Sequence, residues 1–392
     1  MTVHPTNLAP GVDSEIVGAL DQFVAIRRDL HRHPELAFEE RRTSAVVAEQ
    51  LARYGYDVTT GVAGTGVVGV LRKGAGTKRL GLRADMDALP IEEATDLEYA
   101  SASKGVMHAC GHDGHTAILL AAAWRLARTD FSGTLTLLFQ PAEEVGAGAR
   151  RLLSEGLFDS FPCDAVFGLH NWPGVPLGQF GFVAGPAMAS VDKAEIRIVG
   201  KGGHGAAPHE TVDPILAASA TVLALQSIVA RNIDPRDAAV VSVGSIHGGE
   251  ASNVIPGHVD LKLTIRSFDA AVRDRLEERV RAIAGTVSAG YGAQAEVSYR
   301  RGLPPLLNHV AETELVRDVA TAAFGVDRIE ADFRPRTASE DFAYYLQAVP
   351  GSFVFVGNGD GPPLHSPDYD FNDAIIAPAA SLWVRLARAF LV

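Results

Sequence analysis

The sequence predicts an α/β protein with a central, mostly parallel sheet, plus a smaller inserted α+β domain. Short β-rich runs alternate with helical segments before Gly185, as expected for strands joined by crossover helices. Near Gly185 the pattern changes to alternating strands with two helices, and after residue 300 the first pattern returns. The length of 392 residues provides for two or three domains with ample core.

The predicted first domain starts with two helices. Apolar residues recur at helical spacing over 16–30, and Ser14 is the predicted N-cap. Pro34 ends this helix because the residue before a proline disfavours the α conformation. A second amphipathic helix follows at 39–53. The later predicted elements are strands at 67–71, 80–82, 135–139 and 165–169 and an apolar helix at 114–127.

The predicted insertion has a β-α-β-β-α-β order. Its elements are a strand at 191–199, a helix at 214–230, strands at 240–246 and 259–266, a helix at 270–287 and a strand at 295–299. The first domain then resumes with a helix at 312–324, a strand at 353–356 and a C-terminal helix from Pro378. We therefore assign 1–186 and 301–392 to the first domain and 187–300 to the insertion.

Composition excludes several classes of function. With 35 Lys and Arg against 47 Asp and Glu, the formal charge is -12, so general binding to nucleic acid or anionic membranes is not expected. The best apolar run, 117–124, is too short for a membrane span, and the first eleven residues lack the pattern of a signal peptide. Only two cysteines, Cys110 and Cys163, indicate a reducing compartment, for which we expect the cytoplasm.

One segment matches a nucleotide-binding motif in sequence but lacks the helix that the motif requires. Residues 64–69 read GTGVVG, which fits the dinucleotide fingerprint. The motif requires a helix to start inside it, but β-branched residues follow, and then Gly74 and Gly76. A strand-turn-strand segment is the better interpretation.

The segment 107–116, MHACGHDGHT, is the richest in potential metal ligands. It holds three histidines, Cys110 and Asp113 just before the apolar helix. Thiolate and imidazole suit Zn²⁺ and related ions. Cys110 and His112 face the same way if this loop is locally extended. The alternative is a polar turn in which Asp113 caps the helix; we expect that cap, but it does not account for Cys110 or His112.

Further ligand-type residues follow other predicted strands. Glu143 and Glu144 come after the strand at 135–139, and His170 follows the strand at 165–169. Because sites in open α/β sheets gather beyond the carboxyl ends of strands, these residues indicate one site. One glutamate can bind metal while the other acts as general base, although an exposed acidic helix start is an equal alternative on these residues alone. His365 lies in a late Gly/Pro-rich loop where another ligand is expected.

Other polar residues are assigned supporting roles. Asp85 and Asp87 follow the strand at 80–82 and are expected to orient a histidine ligand from behind. His31, His33 and Glu35 also form a cluster, but no strand ends near them. We interpret that second cluster as structural.

Nine motifs together resemble one enzyme family. The chain contains RRDLHRHPELAFEE, RADMDALPI, MHACGHDGHTA, QPAEE, GLHNWP, GKGGHGAAPH, ASNVIPG, SEDFAYYL and PPLHSPDYDF. They are similar to those of the hippurate hydrolase and N-acyl-L-amino-acid amidohydrolase family, which belongs with the aminoacylase and carboxypeptidase-G-type metallopeptidases. The resemblance implies a catalytic domain that carries two divalent metal ions and an inserted lid domain that also dimerises, with tetramers left open.

The resemblance also implies a role for each site residue. Glu143 is the implied general base on the attacking water, and the implied metal ligands are Cys110, His112, Glu144, His170 and His365. His204 in the lid is the implied oxyanion-stabilising residue, supplied to the active site of a partner subunit. Asn253 and Arg266 are the implied ligands of the substrate carboxylate. From the residues alone, His204 is a surface histidine and Arg266 a solvated charge.

The substrate implied by the resemblance is an N-acyl amino acid, cleaved to a carboxylic acid and a free amino acid. Dipeptides, indole-acetyl amino acids and N-acetyl-diaminopimelate are alternative substrates, and a non-catalytic metal-dependent binding dimer is a different class. Mn²⁺ or Zn²⁺ is expected, with Co²⁺ or Ni²⁺ as alternatives. In the wider clan a His-x-Asp stands at 85–87 and a bridging Asp stands where this chain has Cys110-Gly111-His112, a difference that matches the hippuricase-like subgroup.

Overall fold

The computed structural model describes residues 11–392 and divides them into two compact units. One unit contains the described residues up to Gly185 with Leu307–Arg334 and Asp341–Val392, and the other contains Pro186–Leu306 with Pro335–Glu340. Ten of the eleven residues on which we base the absence of a signal peptide lie outside the described part. The domain limits proposed from the sequence stay predictions.

Helices and strands alternate through the first part of the chain. In order they are α1 (Ser14–Gly18), α2 (Leu20–Arg32), α3 (Arg41–Tyr54), β1 (Asp57–Val62), β2 (Gly66–Lys73), β3 (Arg79–Asp85), α4 (His112–Leu126), β4 (Gly133–Gln140), α5 (Gly148–Ser154), α6 (Leu157–Ser160), β5 (Ala165–Pro173) and β6 (Phe180–Gly181). The middle part contains β7 (Gly185–Met188), β8 (Asp192–Val199), β9 (Gly203–His204), α7 (Pro214–Leu225), α8 (Ser227–Asn232), β10 (Ala239–His247), β11 (Val254–Ile255), β12 (His258–Ser267), α9 (Ala270–Gly290) and β13 (Gln294–Arg301). The last part contains β14 (Leu306–Asn308), α10 (Val310–Phe324), α11 (Ala343–Ala348), β15 (Gly351–Gly359) and α12 (Ile376–Phe390).

The sheet of the first unit is mixed. Its strand order is β1-β2-β4-β3-β5-β15-β6. The four central strands, β4, β3, β5 and β15, run parallel, whereas β1, β2 and β6 join antiparallel at the edges. The α/β class is therefore confirmed, and the predicted parallel arrangement holds for the centre of the sheet. Because β4, β3, β5 and β15 are parallel, the chain leaves all four strands at the same end of the sheet, beyond their carboxyl termini.

Helix α4 is the central helix of the first unit. Every residue of α4 except Trp124 and Arg125 is buried, because the helix packs against β3, α2, α3 and α12. Its uninterrupted apolar sequence from Ala117 to Ala123 follows from this burial on all sides. The first turn of this buried helix contains residues 112–116, the second half of segment 107–116.

The second unit has a four-stranded antiparallel sheet of order β10-β12-β8-β13. Helices α7 and α9 pack against this sheet. Alternate residues of β8, Ala194, Ile196 and Ile198, are buried, as the alternation in the sequence predicts. The observed order, strand, helix, two strands, helix and strand, is the predicted one, except that the predicted helix 214–230 is divided between α7 and α8.

Two details of the predicted N-terminal region differ from the structure. The first predicted helix is broken at Ala19 into α1 and α2, and Asp13 rather than Ser14 is the N-cap, accepting from the backbone N–H groups of Glu15 and Ile16.

The GTGVVG segment forms the turn between β1 and β2 and the first part of β2, as expected for strand-turn-strand rather than a nucleotide site.

Within 11–392, no helix combines the length and the apolar character that crossing a bilayer requires.

Candidate metal centre

The predicted metal ligands come together at the carboxyl edge of the parallel strands. Glu144 follows β4, His170 lies in the last part of β5, and His365 lies in the loop after β15. Cys110 and His112 come from the loop that leads into α4 and from its first turn. The parallel order of the strands thus brings Glu144, His170 and His365 together, and the start of α4 adds Cys110 and His112.

The ligand atoms form two overlapping groups. Cys110, His112 and His170 form one group, and Cys110, Glu144 and His365 form the other; within each, all ligand atoms lie within 4.8 Å of one another. Cys110 Sγ is 3.3 Å from His170 Nε2, and Glu144 Oε1 is 3.4 Å from His365 Nε2. Ligands of one tetrahedral ion are roughly 3.3–3.8 Å apart, given metal–ligand bonds of about 2.0–2.3 Å. Cys110 belongs to both groups, so its sulfur could serve as a ligand in either of them.

In two of the predicted ligand histidines, His112 and His170, Nδ1 has a hydrogen-bond partner outside the ligand groups. His112 Nδ1 is 3.3 Å from Asp87 Oδ1, and His170 Nδ1 is 2.6 Å from its neighbouring carbonyl oxygen on Asn171. If Nδ1 donates in each case, Nε2 is left unprotonated as the acceptor toward a metal ion. Asp87 thus contacts one of the predicted ligand histidines, and its supporting role stays a prediction.

The donor set fits divalent cations. The buried atoms His112 Nε2 and Glu144 Oε1 form no hydrogen bond within the described chain, although such atoms are nearly always paired. Burial raises the pKa of the Cys110 thiol well above its usual value, and the carboxylates of Glu144 and Glu143 raise it further. Burial alone lowers the pKa of His112, but the surrounding carboxylates, first among them Asp85, raise it to about 10. Bound cations would provide partners for His112 Nε2 and Glu144 Oε1 and would offset the negative charge of the carboxylates.

Glu143 lies beside the ligand groups rather than within the two that share Cys110. One of its carboxylate oxygens, Oε1, is 3.3 Å from the backbone nitrogen of Asp341, and the residue is 8% exposed. The ligand atoms of Glu143, Glu144 and His112 lie within 4.8 Å of one another. The side chain of Glu143 is therefore near two proposed ligands but also contacts the backbone of Asp341, which suits a proton-transferring carboxylate.

The start of α4 differs from the prediction. Gly111, at φ 88°, is the N-cap, and Asp113 lies in the first turn and does not cap the helix. Asp113 is buried and accepts from His31 Nδ1 at 2.8 Å, and Arg27 Nε lies 2.9 Å from the same oxygen. Burial lowers the pKa of His31, but the charge of Asp113 and its hydrogen bond raise it, so that the pKa is about 9. His31, predicted to be structural, holds the base of the metal-binding loop from behind.

Sequence reasoning gave no role to three buried residues behind the site. His115 Nδ1 is 2.6 Å from Asp85 Oδ1, and Arg83 donates to the other oxygen of Asp85 at 2.6 Å. Arg83 also reaches Asp341 Oδ1 at 3.2 Å, so one guanidinium joins Asp85 to the residue that contacts Glu143. A signal was present: Arg83 and Asp85 are two apart on β3 and so point to the same face. Asp341 offered none, since it is 258 residues from Arg83.

A family model, Peptidase family M20/M25/M40, matches residues 81–389. The chain belongs to this family. The match includes both ligand groups and Glu143, and it confirms the family and the enzyme class predicted from the motifs.

Close relatives in the M20/M25/M40 family have related names. The chain is 42% identical over 385 residues to "Hippurate hydrolase" of Campylobacter jejuni, with 98% of this chain and 100% of the relative covered. It is 44% identical over 373 residues to "N-acetyl-L-cysteine deacetylase" of Bacillus subtilis, covering 94% and 88%. The crystal structure of the Bacillus subtilis YXEP protein, described as a dinuclear metal-binding peptidase from the M20 family, superposes with a TM-score of 0.84 at 34% identity and covers 97% of this chain and 99% of that one. These similarities support a two-metal hydrolase.

Three predicted substrate-contacting residues lie in the second unit. His204, on β9, is exposed, and its Nδ1 accepts from the backbone of Ala206 at 3.0 Å. Asn253 is adjacent, because its carbonyl oxygen accepts from Gly205 N at 2.8 Å. Arg266, on β12, donates to Ser339 Oγ at 2.6 Å. The structure thus brings His204 and Asn253 together, and the roles of all three residues stay predictions.

Proposed function

We propose that this protein hydrolyses the amide bond of N-acyl-L-amino acids in a two-metal site, releasing a carboxylic acid and a free amino acid. The observation that carries the proposal is the pair of ligand groups sharing Cys110, with Glu143 beside them. A related hippurate hydrolase and a related N-acetyl-L-cysteine deacetylase act, by their names, on substrates of this class. The proposed ligands are Cys110, His112, Glu144, His170 and His365.

The chemistry divides between the ions and the chain. When bound, the two ions supply Lewis acidity, which polarises the scissile carbonyl and acidifies the attacking water. Glu143 accepts the proton of that water and then delivers it to the nitrogen of the leaving amine. The backbone N–H of Asp341 donates to Glu143 Oε1 and so orients the carboxylate for this proton transfer. Asp87 holds His112 so that its Nε2 keeps facing the ligand group.

Substrate recognition is assigned to the second unit. An N-acyl amino acid carries one carboxylate, and the planar guanidinium of Arg266 suits it because it can donate to both oxygens. Burial lowers the pKa of Arg266 from its usual value, yet an arginine stays charged at neutral pH. Asn253 is proposed to assist this contact, and His204 to stabilise the oxyanion of the tetrahedral intermediate.

A side-by-side substrate assay tests the proposed reaction. Protein reloaded separately with Mn²⁺, Zn²⁺, Co²⁺ and Ni²⁺ is incubated with hippurate, N-acetyl-methionine, an indole-acetyl amino acid, N-acetyl-diaminopimelate and simple dipeptides. We expect free amino acid to appear in step with free carboxylic acid from an N-acyl substrate, fastest with Mn²⁺ or Zn²⁺. Cleavage of dipeptides alone would identify a dipeptidase instead. Metal-dependent binding without turnover of any compound would identify a binding protein.

We also propose a homodimer formed through the second unit. Leu216 and Leu223 on α7 are 58% and 76% exposed, and their spacing of seven puts them on one side of the helix. The edge strand β10 carries the exposed Ile246 at 51%. A second copy would cover both the apolar side chains and the unpaired edge of the strand.

Replacing Leu223 with Glu is expected to shift the protein from dimer to monomer in analytical ultracentrifugation, because the charge must be desolvated in the interface. Val326→Glu is the matched control, since Val326 is 71% exposed but lies in the first unit. Equal sedimentation of the two variants as dimers would contradict the assignment of this surface.

The thiolate of Cys110 sets a condition on where the enzyme works. A thiol that binds metal is open to oxidation, and disulfides are absent from the described cysteines, Cys110 and Cys163. We therefore propose a reducing compartment, the cytoplasm, as the site of action.

A further inference from the structure

The turn that carries Glu143 and Glu144 has an unusual backbone. Ala142, directly before Glu143, adopts φ 56°, and only four described residues other than glycine have a positive φ. An L residue keeps this conformation only where its surroundings hold it. The direction in which Glu143 and Glu144 leave β4 therefore depends on whatever fixes Ala142.

The side chain of Glu40 supplies that contact. Glu40 Oε1 accepts from the backbone nitrogen of Ala142 at 2.9 Å, across 102 residues of sequence. The same oxygen accepts from Phe38 N at 3.0 Å, and the hydroxyl of Thr65 donates to the other oxygen. Glu40 is fully buried, so its carboxylate oxygens are committed to these three donors rather than to water.

The other end of the turn is fixed separately. Asp87 Oδ2 accepts from the backbone nitrogen of Glu144 at 2.9 Å. The turn is also closed on itself, since the Ala142 carbonyl accepts from Gly148 N at 3.0 Å. Glu40 and Asp87 therefore hold the two backbone N–H groups on either side of Glu143. Neither carboxylate belongs to the two ligand groups that share Cys110.

Helix capping does not explain a buried carboxylate at position 40. Glu40 is the N-cap residue of α3, but its side chain makes no capping hydrogen bond to that helix. Glu35 does this instead, accepting from Arg42 N at 2.9 Å and from Thr43 N at 2.8 Å. The side chain of Glu40 points away from its own helix toward the turn after β4.

We infer that Glu40 is a positioning residue for the reaction: through Ala142 it holds the turn that aims Glu143 at the attacking water and Glu144 at its metal ion. The inference rests on the proposed roles of Glu143 and Glu144. It gives a function to Glu40, the last residue of the HRHPELAFEE segment, to which the sequence analysis assigned no role.

The test is the variant Glu40→Ala with a second substitution, Ala142→Gly. Glu40→Ala is expected to lower kcat about 10–100-fold with little change in KM, as a misplaced catalytic group does. The same variant is expected to bind its metal ions more weakly in titration calorimetry of the metal-free protein. Because glycine adopts a positive φ without a clamp, adding Ala142→Gly is expected to restore part of both losses. A role of Glu40 limited to overall stability gives no such rescue.

Glu155→Ala is the matched control. Glu155 Oε2 accepts at 2.7 Å from the backbone of Ala63, which also has a positive φ, 53°, but neither residue belongs to a ligand group of the described chain. We expect its loss to lower Tm without changing kcat. If Glu40→Ala does not fold, Thr65→Val removes only one donor to Glu40, and a smaller fall in kcat is expected.

Two results overturn the inference. The first is a wild-type kcat in Glu40→Ala, or in Thr65→Val if Glu40→Ala does not fold. The second is a fall in kcat in Glu40→Ala that the added Ala142→Gly substitution does not reverse. Failure of the proposed function is a separate outcome. If Glu143 is not the general base, Glu143→Gln keeps full activity, regardless of the effect of Glu40→Ala.

Discussion

We expect Glu143→Gln to lower kcat for N-acyl amino acid hydrolysis by about 10²–10⁴-fold, the usual contribution of a general base. The amide keeps the shape of the side chain and an oxygen that accepts from Asp341 N, so the local structure is retained. It has no basic carboxylate to take the proton of water. Because Glu143 is outside the two groups that share Cys110, two ions per subunit should remain bound, as measured by atomic absorption.

Glu49→Gln is the control for this substitution. Glu49 is an exposed glutamate on α3 that pairs with Arg53, so the same chemical change there is expected to leave kcat unchanged. Full activity of Glu143→Gln would reject the assignment of the base. Loss of metal together with activity would make Glu143 a ligand instead.

The second large effect is expected at Cys110. Since its Sγ belongs to both ligand groups, Cys110→Ala should weaken the binding of both ions. The loss should exceed the roughly 10–100-fold that follows removal of an outer partner of a ligand. Activity at micromolar metal is expected to fall to background. Titration calorimetry on the metal-free protein measures the two affinities.

Cys163→Ala is the natural control, because Cys163 is the other cysteine and belongs to none of the ligand groups found in the described chain. It should bind two ions and turn over substrate like the wild type. If Cys110→Ala kept one ion at wild-type affinity, Cys110 would belong to a single ion and the shared-thiolate arrangement would be wrong.

The parts of the site that sequence predicted are those governed by strand order. A residue that follows a buried parallel strand must emerge at the same edge as its neighbours, so Glu144 and His170 could be placed together without a structure. His112 was recognisable because imidazole, thiolate and carboxylate are concentrated beside it. The supporting position of Asp87 followed from the same edge argument, and its 3.3 Å contact with His112 is found in the structure.

The parts that sequence missed depend on contacts between distant segments. Asp113 was expected to cap α4, but Arg27 and His31 draw it into the interior, and Gly111 begins the helix instead. No local pattern reveals that pairing. The contact of Glu40 with Ala142 is similar: a glutamate at a helix start ordinarily reads as an exposed cap, and only the folded chain shows that it faces inward.

The position of β15 between β5 and β6 has a consequence for synthesis on the ribosome. The chain completes β5 at Pro173, but β15, which pairs with it, ends at Gly359, after the whole second unit has been made. At about 5–20 residues per second this interval lasts on the order of 10–40 s. Throughout it the nascent chain presents an unpaired apolar strand edge, which is a template for aggregation. His365 emerges later still, so the nascent chain acquires the complete set of proposed metal ligands only after the second unit has been made.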